Sequence, residues 1–207
     1  PLCLVGSEMC IRDRNKEMAE GSPHLEVFKK KKLDVLFLTD PIDTFWLSMA
    51  GEFQDRKFVS ITKGDIDLTA FSDDKKEKEK KPPAGMKGLV EKIKEILGEN
   101  VQDVKVSTKL VDSACCLVAP DTGMDVQMER IMKIQNKDFK GMPRILEINP
   151  DHNIIKKLNK IKDTDKDALN DASFLLFDQA KMVEGELPND IAKFNQRMSK
   201  FLGIALS

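Results

Sequence analysis

An acid beside an imidazole is the commonest raw material for general acid–base chemistry, and this chain holds one such pair. Asp151 and His152 lie inside RILEINPDHNIIKKL at residues 144–158. Their nucleophile would be Cys115 or Cys116, adjacent thiols in SACCLVA, so the chemical reading is a cysteine-dependent enzyme. Metal chemistry has less to draw on. The four cysteines, Cys3, Cys10, Cys115 and Cys116, lack the spacing of a thiolate zinc site, and His24 is the only other histidine. Asp73 and Asp74 adjoin in a charged run, where solvent leaves both carboxylates ordinary. No glycine-rich phosphate loop follows a strand-like run, and nothing in the residues present supports nucleotide binding. No catalytic, cofactor-binding or metal residue is assigned on these grounds.

The elements that would position these residues supply a structural alternative. LFLTDPID and LEINPDHN both run from an apolar strand through a capping side chain to proline and then an acid. In the second copy Asn149 is expected to cap a helix, Pro150 to occupy its first position, and Asp151 to complement the positive helix end. Only His152 is left without a structural task, because a cation in the first turn opposes the dipole. Consecutive side chains of a strand point to opposite faces, so Cys115 and Cys116 should not meet. They are read as small reduced core residues, which fits a reducing compartment.

Along the chain, residues 1–14 show no sustained periodicity and are set aside as a non-native, disordered segment. A helical pattern is already under way at Asn15, so the chain is read as a fragment. Residues 15–71 form a first small α/β unit. In it Ser22 caps a helix with Pro23 at its first position, LDVLFL is a buried strand, Asp40, Pro41 and Asp43 open a second helix, and KFVSI is a second strand. Residues 72–85 are a charged, proline-bearing linker. Residues 86–207 form a second unit, with helices at 86–97 and 124–135, strands at VQDVKVST, ACCLVA and RILEI, and a helix from PDHNIIKKLNKI. Two helical patterns at 165–184 and 190–205, joined by GELPN, complete a helical hairpin. The fold class is α/β (α+β), two small mixed domains.

Charge excludes several partners. Thirty-four Lys and Arg against 35 Asp and Glu leave a net charge of −1, so no global field draws the chain to nucleic acid or anionic lipid. No apolar run reaches the roughly 20 residues that cross a bilayer.

Two features point to binding instead. Met124, Met128, Ile131 and Met132 recur at helical spacing, a soft apolar stripe that adapts to unlike surfaces or packs on its own sheet. In the hairpin, Phe174, Leu175, Leu176 and Phe177 are consecutive and so apolar on more than one face. The last helix adds Ile191, Phe194, Met198, Phe201 and Leu202. One small domain covers one face, which predicts that a second copy covers another in a four-helix bundle.

These residues also carry a resemblance. SPHLEVFKKKKLDVLFLTDPID, GEFQDRKFVSITKGDIDL, VKVSTKLVDSACCLVA, MERIMK and RILEINPDHNIIKKL, in that order, resemble the closing part of a heat shock protein 90 family chaperone, a stress-response protein of the cytoplasm. The resemblance implies that residues 15–71 end the family's middle domain and that 86–207 are its carboxy-terminal dimerisation domain. It implies a full-length protein that uses ATP and Mg, bound in a domain upstream, with no cofactor in this fragment and no enzyme activity of its own. Client proteins, unfolded or partly folded, would be held at Met124, Met128, Ile131 and Met132 and at Phe45 and Trp46. Phe174, Leu176, Phe177, Ile191, Phe194, Met198, Phe201 and Leu202 would form the homodimer. The ending LGIALS, without the acidic co-chaperone motif of eukaryotic cytosolic members, resembles a bacterial-type protein. A purely structural oligomerisation module is the alternative, and the cysteine-dependent enzyme is the remaining one.

Overall fold

The computed structural model describes residues 3–6, 21–38, 49, 52–53, 56–57, 61–62, 85–120 and 142–206. The chain packs as two units: residues 1–80 with 118–143, and residues 81–117 with 144–207. The first division, between residues 80 and 81, falls within the span read as a linker, 72–85. The inclusion of 118–143 in the first unit differs from the linear reading of 86–207 as one domain. The chain leaves the second unit at the end of one strand and rejoins it at the start of another.

In the first unit Ser22 Oγ accepts from the His24 amide at 3.4 Å, and Pro23–Leu25 forms a 3-10 turn leading into α1, Glu26–Lys30. Leu25, Val27 and Phe28 are buried, so one side of this short helix is core. Lys32, at φ 53°, turns the chain out of the helix, and the Leu33 amide reaches back to Phe28 O at 2.9 Å. Strand β2, Val35–Leu38, pairs in parallel with β1, Cys3–Gly6. This pairing departs from the expectation that residues 1–14 take no part in the fold. Cys-Leu-Val-Gly is a short apolar run, and its backbone groups find partners along β2. Strands β3, Glu52–Phe53, and β4, Arg56–Lys57, form an antiparallel pair. Apart from Met49, which is helical and exposed, the helix predicted from Asp40 lies outside the described residues, as do residues 58–60 of the KFVSI strand and residues 72–84 of the linker.

The second unit is built on an amphipathic helix, α2, Met86–Leu97. Its Met86, Leu89, Ile93 and Leu97 are fully buried at helical spacing. Gly98 takes φ 51°, a left-handed turn that ends the helix without a side-chain clash. A 3-10 turn, Gly98–Asn100, then delivers β5, Val101–Val106. Strands β6, Cys115–Val118, and β7, Arg144–Ile148, complete a sheet of order β5-β7-β6. β5 and β7 are parallel, with an irregularity between Val101 and Asp103 that inserts one residue. That insertion lets Val101 and Val104 both face the core, a spacing that strict alternation forbids. β7 is the central strand and is buried along Ile145–Ile148, as a strand covered on both faces must be.

Helix α3, Asn153–Ile161, contributes Ile155 and Leu158 to the same core. Lys162, just past its end, donates to Gly85 O at 2.6 Å, while Lys92 on α2 donates to Lys162 O at 3.0 Å and pairs with Asp163. These reciprocal bonds hold the start of α2 against the end of α3. The hairpin follows: α4, Lys166–Val183, capped by Asp165, and α5, Ile191–Ala205, capped by Asp190, each cap accepting at 2.9 Å. Leu169, Ala172, Leu176, Phe177 and Ala180 place one face of α4 in the core. Among the described residues no helix is long and apolar enough to cross a membrane.

Candidate functional site

The Asn-Pro-Asp-His segment is a junction, and its geometry corrects one detail of the sequence reading. Asn149 is 1% exposed, and its Nδ2 donates to Val111 O at 3.1 Å and to Ser113 O at 3.0 Å. Its Oδ1 accepts from the Asp151 amide at 3.0 Å, and its own amide donates to Ala114 O at 2.8 Å. Asn149 therefore ties the end of β7 to the loop entering β6 instead of capping a helix. The helix begins three residues later than predicted, and its cap is His152, whose Nδ1 accepts from the Ile154 amide at 3.2 Å. Only a neutral imidazole accepts there, with its proton on Nε2. Asp151 is exposed, 3.8 Å from Lys156. The side chain left without a task in the sequence is thus the one that starts α3.

Both thiols of CCLV are buried and free. Cys115 Sγ donates to Leu176 O at 3.3 Å inside the core cluster. Burial pushes the Cys115 thiol up to about 12. It pushes Cys116 up as well, with the Glu147 carboxylate adding to the effect. A catalytic cysteine needs the opposite shift. Alkylation resolved by residue is expected to be more than about a hundredfold slower at Cys115 and Cys116 in the native chain than at a free thiol near neutral pH. Rapid native modification of either would restore the enzyme reading.

One buried polar group was not legible in the sequence. Glu147 on β7 accepts from Ser107 Oγ at 2.7 Å, and Ser107 Oγ accepts from the amides of Lys109 and Leu110 at 3.2 and 3.3 Å. This arrangement closes the turn after β5 and satisfies a carboxylate inside the fold. Among the described residues no group of three or more His, Cys, Asp or Glu side chains is placed to hold a metal ion.

The hairpin divides the predicted dimerisation set. Leu176 and Phe177 are core residues of their own domain. Phe174, Phe194 and Phe201 are half-buried, with Phe174 and Phe201 packed at the margin of that core. Ile191, Met198 and Leu202 are exposed at 53%, 39% and 54%. No residue of α5 is fully buried. The connecting loop is nevertheless pinned: Gly185 takes φ 77°, Glu186 pairs with Arg144 at 2.9 Å, and Asn189 accepts from Lys181 Nζ at 2.6 Å. Asp171, Arg197 and Lys200, which join α4 to α5, were not singled out from the sequence. Met124, Met128, Ile131 and Met132 lie outside the described residues, as do Phe45 and Trp46.

These features define a two-unit α/β protein that ends in a helical hairpin with one face packed and another left open. The family described as Hsp90 protein matches residues 10–207. Proteins named Chaperone protein HtpG from Burkholderia ambifaria, Burkholderia cenocepacia and Burkholderia orbicola are each 40% identical over 186 residues, which is 90% of this chain and 29% of each relative. The chain belongs to the Hsp90 protein family and spans 29% of the length of these curated relatives. The match starts inside the segment set aside from the sequence, so residues 10–14 fall within the family's span.

Proposed function

We propose that this chain is the part of a cytoplasmic, bacterial-type chaperone that pairs two copies and holds unfolded or partly folded proteins. The observation that carries the pairing is the open face of α5, where Ile191, Met198 and Leu202 stand exposed beside a core that Leu176 and Phe177 already complete. Isolated surface apolar residues are ordinary, but three on one helical face form a stripe that water covers poorly. A second copy covers it with its own α5, giving a four-helix bundle about a two-fold axis. Residues 15–71 are the end of the middle domain and 86–207 the dimerisation domain in this reading. ATP and Mg are assigned to the parts of the relatives that this chain does not span.

Pairing has a functional consequence. Two client surfaces held in one dimer act at high effective concentration on one extended client. The client surfaces are Met124, Met128, Ile131 and Met132, with Phe45 and Trp46 as a second site, and methionine suits a surface that must accept unlike partners. Replacing Met124, Met128 and Met132 by Ser is expected to weaken suppression of client aggregation, measured by light scattering of a heat-labile protein. Undiminished suppression by a folded, dimeric variant would take the methionines out of the client surface.

A further inference from the structure

The apolar stripe of α5 is wider than the side it packs. At about 100° per residue, Phe194, Arg197 and Phe201 cluster on one side of the helix, and Ile191, Met198 and Leu202 lie about a quarter turn away. The first three are half-buried and the second three exposed. Phe201 packs at the margin of the core and favours this roll, but the stripe offers apolar side chains to either roll. A quarter turn about the helix axis would lay Ile191, Met198 and Leu202 on α4 and hide the face that a second copy needs.

The flank opposite the exposed stripe is where the roll is held. Asp171 on α4 contacts two cations of α5: its Oδ1 is 3.4 Å from Arg197 Nε and its Oδ2 is 2.6 Å from Lys200 Nζ. The side chains of Asp171 and Arg197 are only 19% and 16% exposed, so this pair is screened far less than a surface ion pair. The Arg197 guanidinium also lies 4.4 Å from the centre of the Phe174 ring, a cation–π contact to the same helix. Lys193, on the same flank, pairs with the cap Asp190 at 3.4 Å and leaves Asp171 to the other two. Rolling α5 toward self-burial would pull Arg197 and Lys200 off Asp171 together.

We infer that Asp171 is a positioning residue for assembly: by holding Arg197 and Lys200 it fixes the roll of α5, so that Ile191, Met198 and Leu202 face a second copy of the chain instead of folding back onto α4. This rests on the pairing proposed above.

Asp171→Asn in the 207-residue chain keeps the shape and removes the charge. Its dimer dissociation constant, from sedimentation equilibrium, is expected to rise about five- to tenfold, and Asp171→Glu to restore it. Peroxide oxidation of Met198, read by mass spectrometry at concentrations where the chain is monomeric, is expected to slow several-fold in Asp171→Asn as the helix rolls inward. The double variant Arg197→Gln/Lys200→Gln should behave as Asp171→Asn does, which guards against a fold defect peculiar to one site. An Asp171→Asn variant with wild-type circular dichroism, dissociation constant and Met198 oxidation rate overturns the inference. A wild-type chain that stays monomeric overturns the pairing and, with it, the clamp's role in assembly. The oxidation rates then show separately whether Asp171 holds the roll.

Discussion

Replacing Met198 and Leu202 by Asp is expected to weaken pairing by more than about a thousandfold while the domain stays folded, as read by light scattering after gel filtration. Burying a Met or Leu side chain contributes about 1.5–3 kcal/mol, and a two-fold axis uses each position twice. With Met198 39% and Leu202 54% exposed in one copy, about half of that gain is left for pairing, so the four positions contribute about 3–6 kcal/mol, which brackets the roughly 4 kcal/mol that a thousandfold change requires. The introduced carboxylates also meet their symmetry mates, so like charges replace apolar contact. The domain itself should tolerate the change, because both side chains are exposed and the core is completed by residues of α4. Phe177→Asp makes the contrast: 6% exposed, it should unfold the domain before pairing can be assessed. A Met198→Asp/Leu202→Asp chain that pairs as tightly as the wild type would remove α5 from the interface.

The second large effect is expected at Asn149. Asn149→Ala removes two bonds from Nδ2 and one to Oδ1 at a site that is 1% exposed. At about 1 kcal/mol for each bond, the loss is about 3 kcal/mol in chemical denaturation. His152→Ala withdraws one capping bond beside solvent and is expected to cost about 1 kcal/mol or less. The order of these two costs distinguishes a junction from a catalytic pair. A junction depends on Asn149 and spares His152, whereas a stability loss dominated by His152 would contradict the geometry described for the helix start.

Much of the second unit was readable along the chain because local periodicity specifies it. Met86, Leu89, Ile93 and Leu97 announce α2, Gly98 announces its end, and the two hairpin helices begin at the aspartates that precede them. The buried, reduced state of Cys115 and Cys116 followed from an apolar strand context. What escaped depends on residues far apart in the chain. Asn149 looks like a cap until its amide is seen to serve carbonyls 36 and 38 residues earlier, which frees His152 to start the helix. The pairing of Asp171 with Lys200 spans 29 residues and leaves no mark on a charge pattern. The run Phe174 to Phe177 was correctly apolar on more than one face. Periodicity gives the width of such a stripe and is silent on what covers it, so the division between core (Leu176, Phe177) and open surface (Ile191, Met198, Leu202) had to come from the fold. The inserted residue in β5 likewise becomes visible only against its partner β7.

Pairing is the claim on which both the client mechanism and the Asp171 clamp depend, and sedimentation equilibrium of the 207-residue chain tests it most directly. The account predicts a reversible monomer–dimer equilibrium, with the mass rising with concentration from 23.4 kDa toward twice that value. A single 23.4 kDa species at every concentration would contradict it.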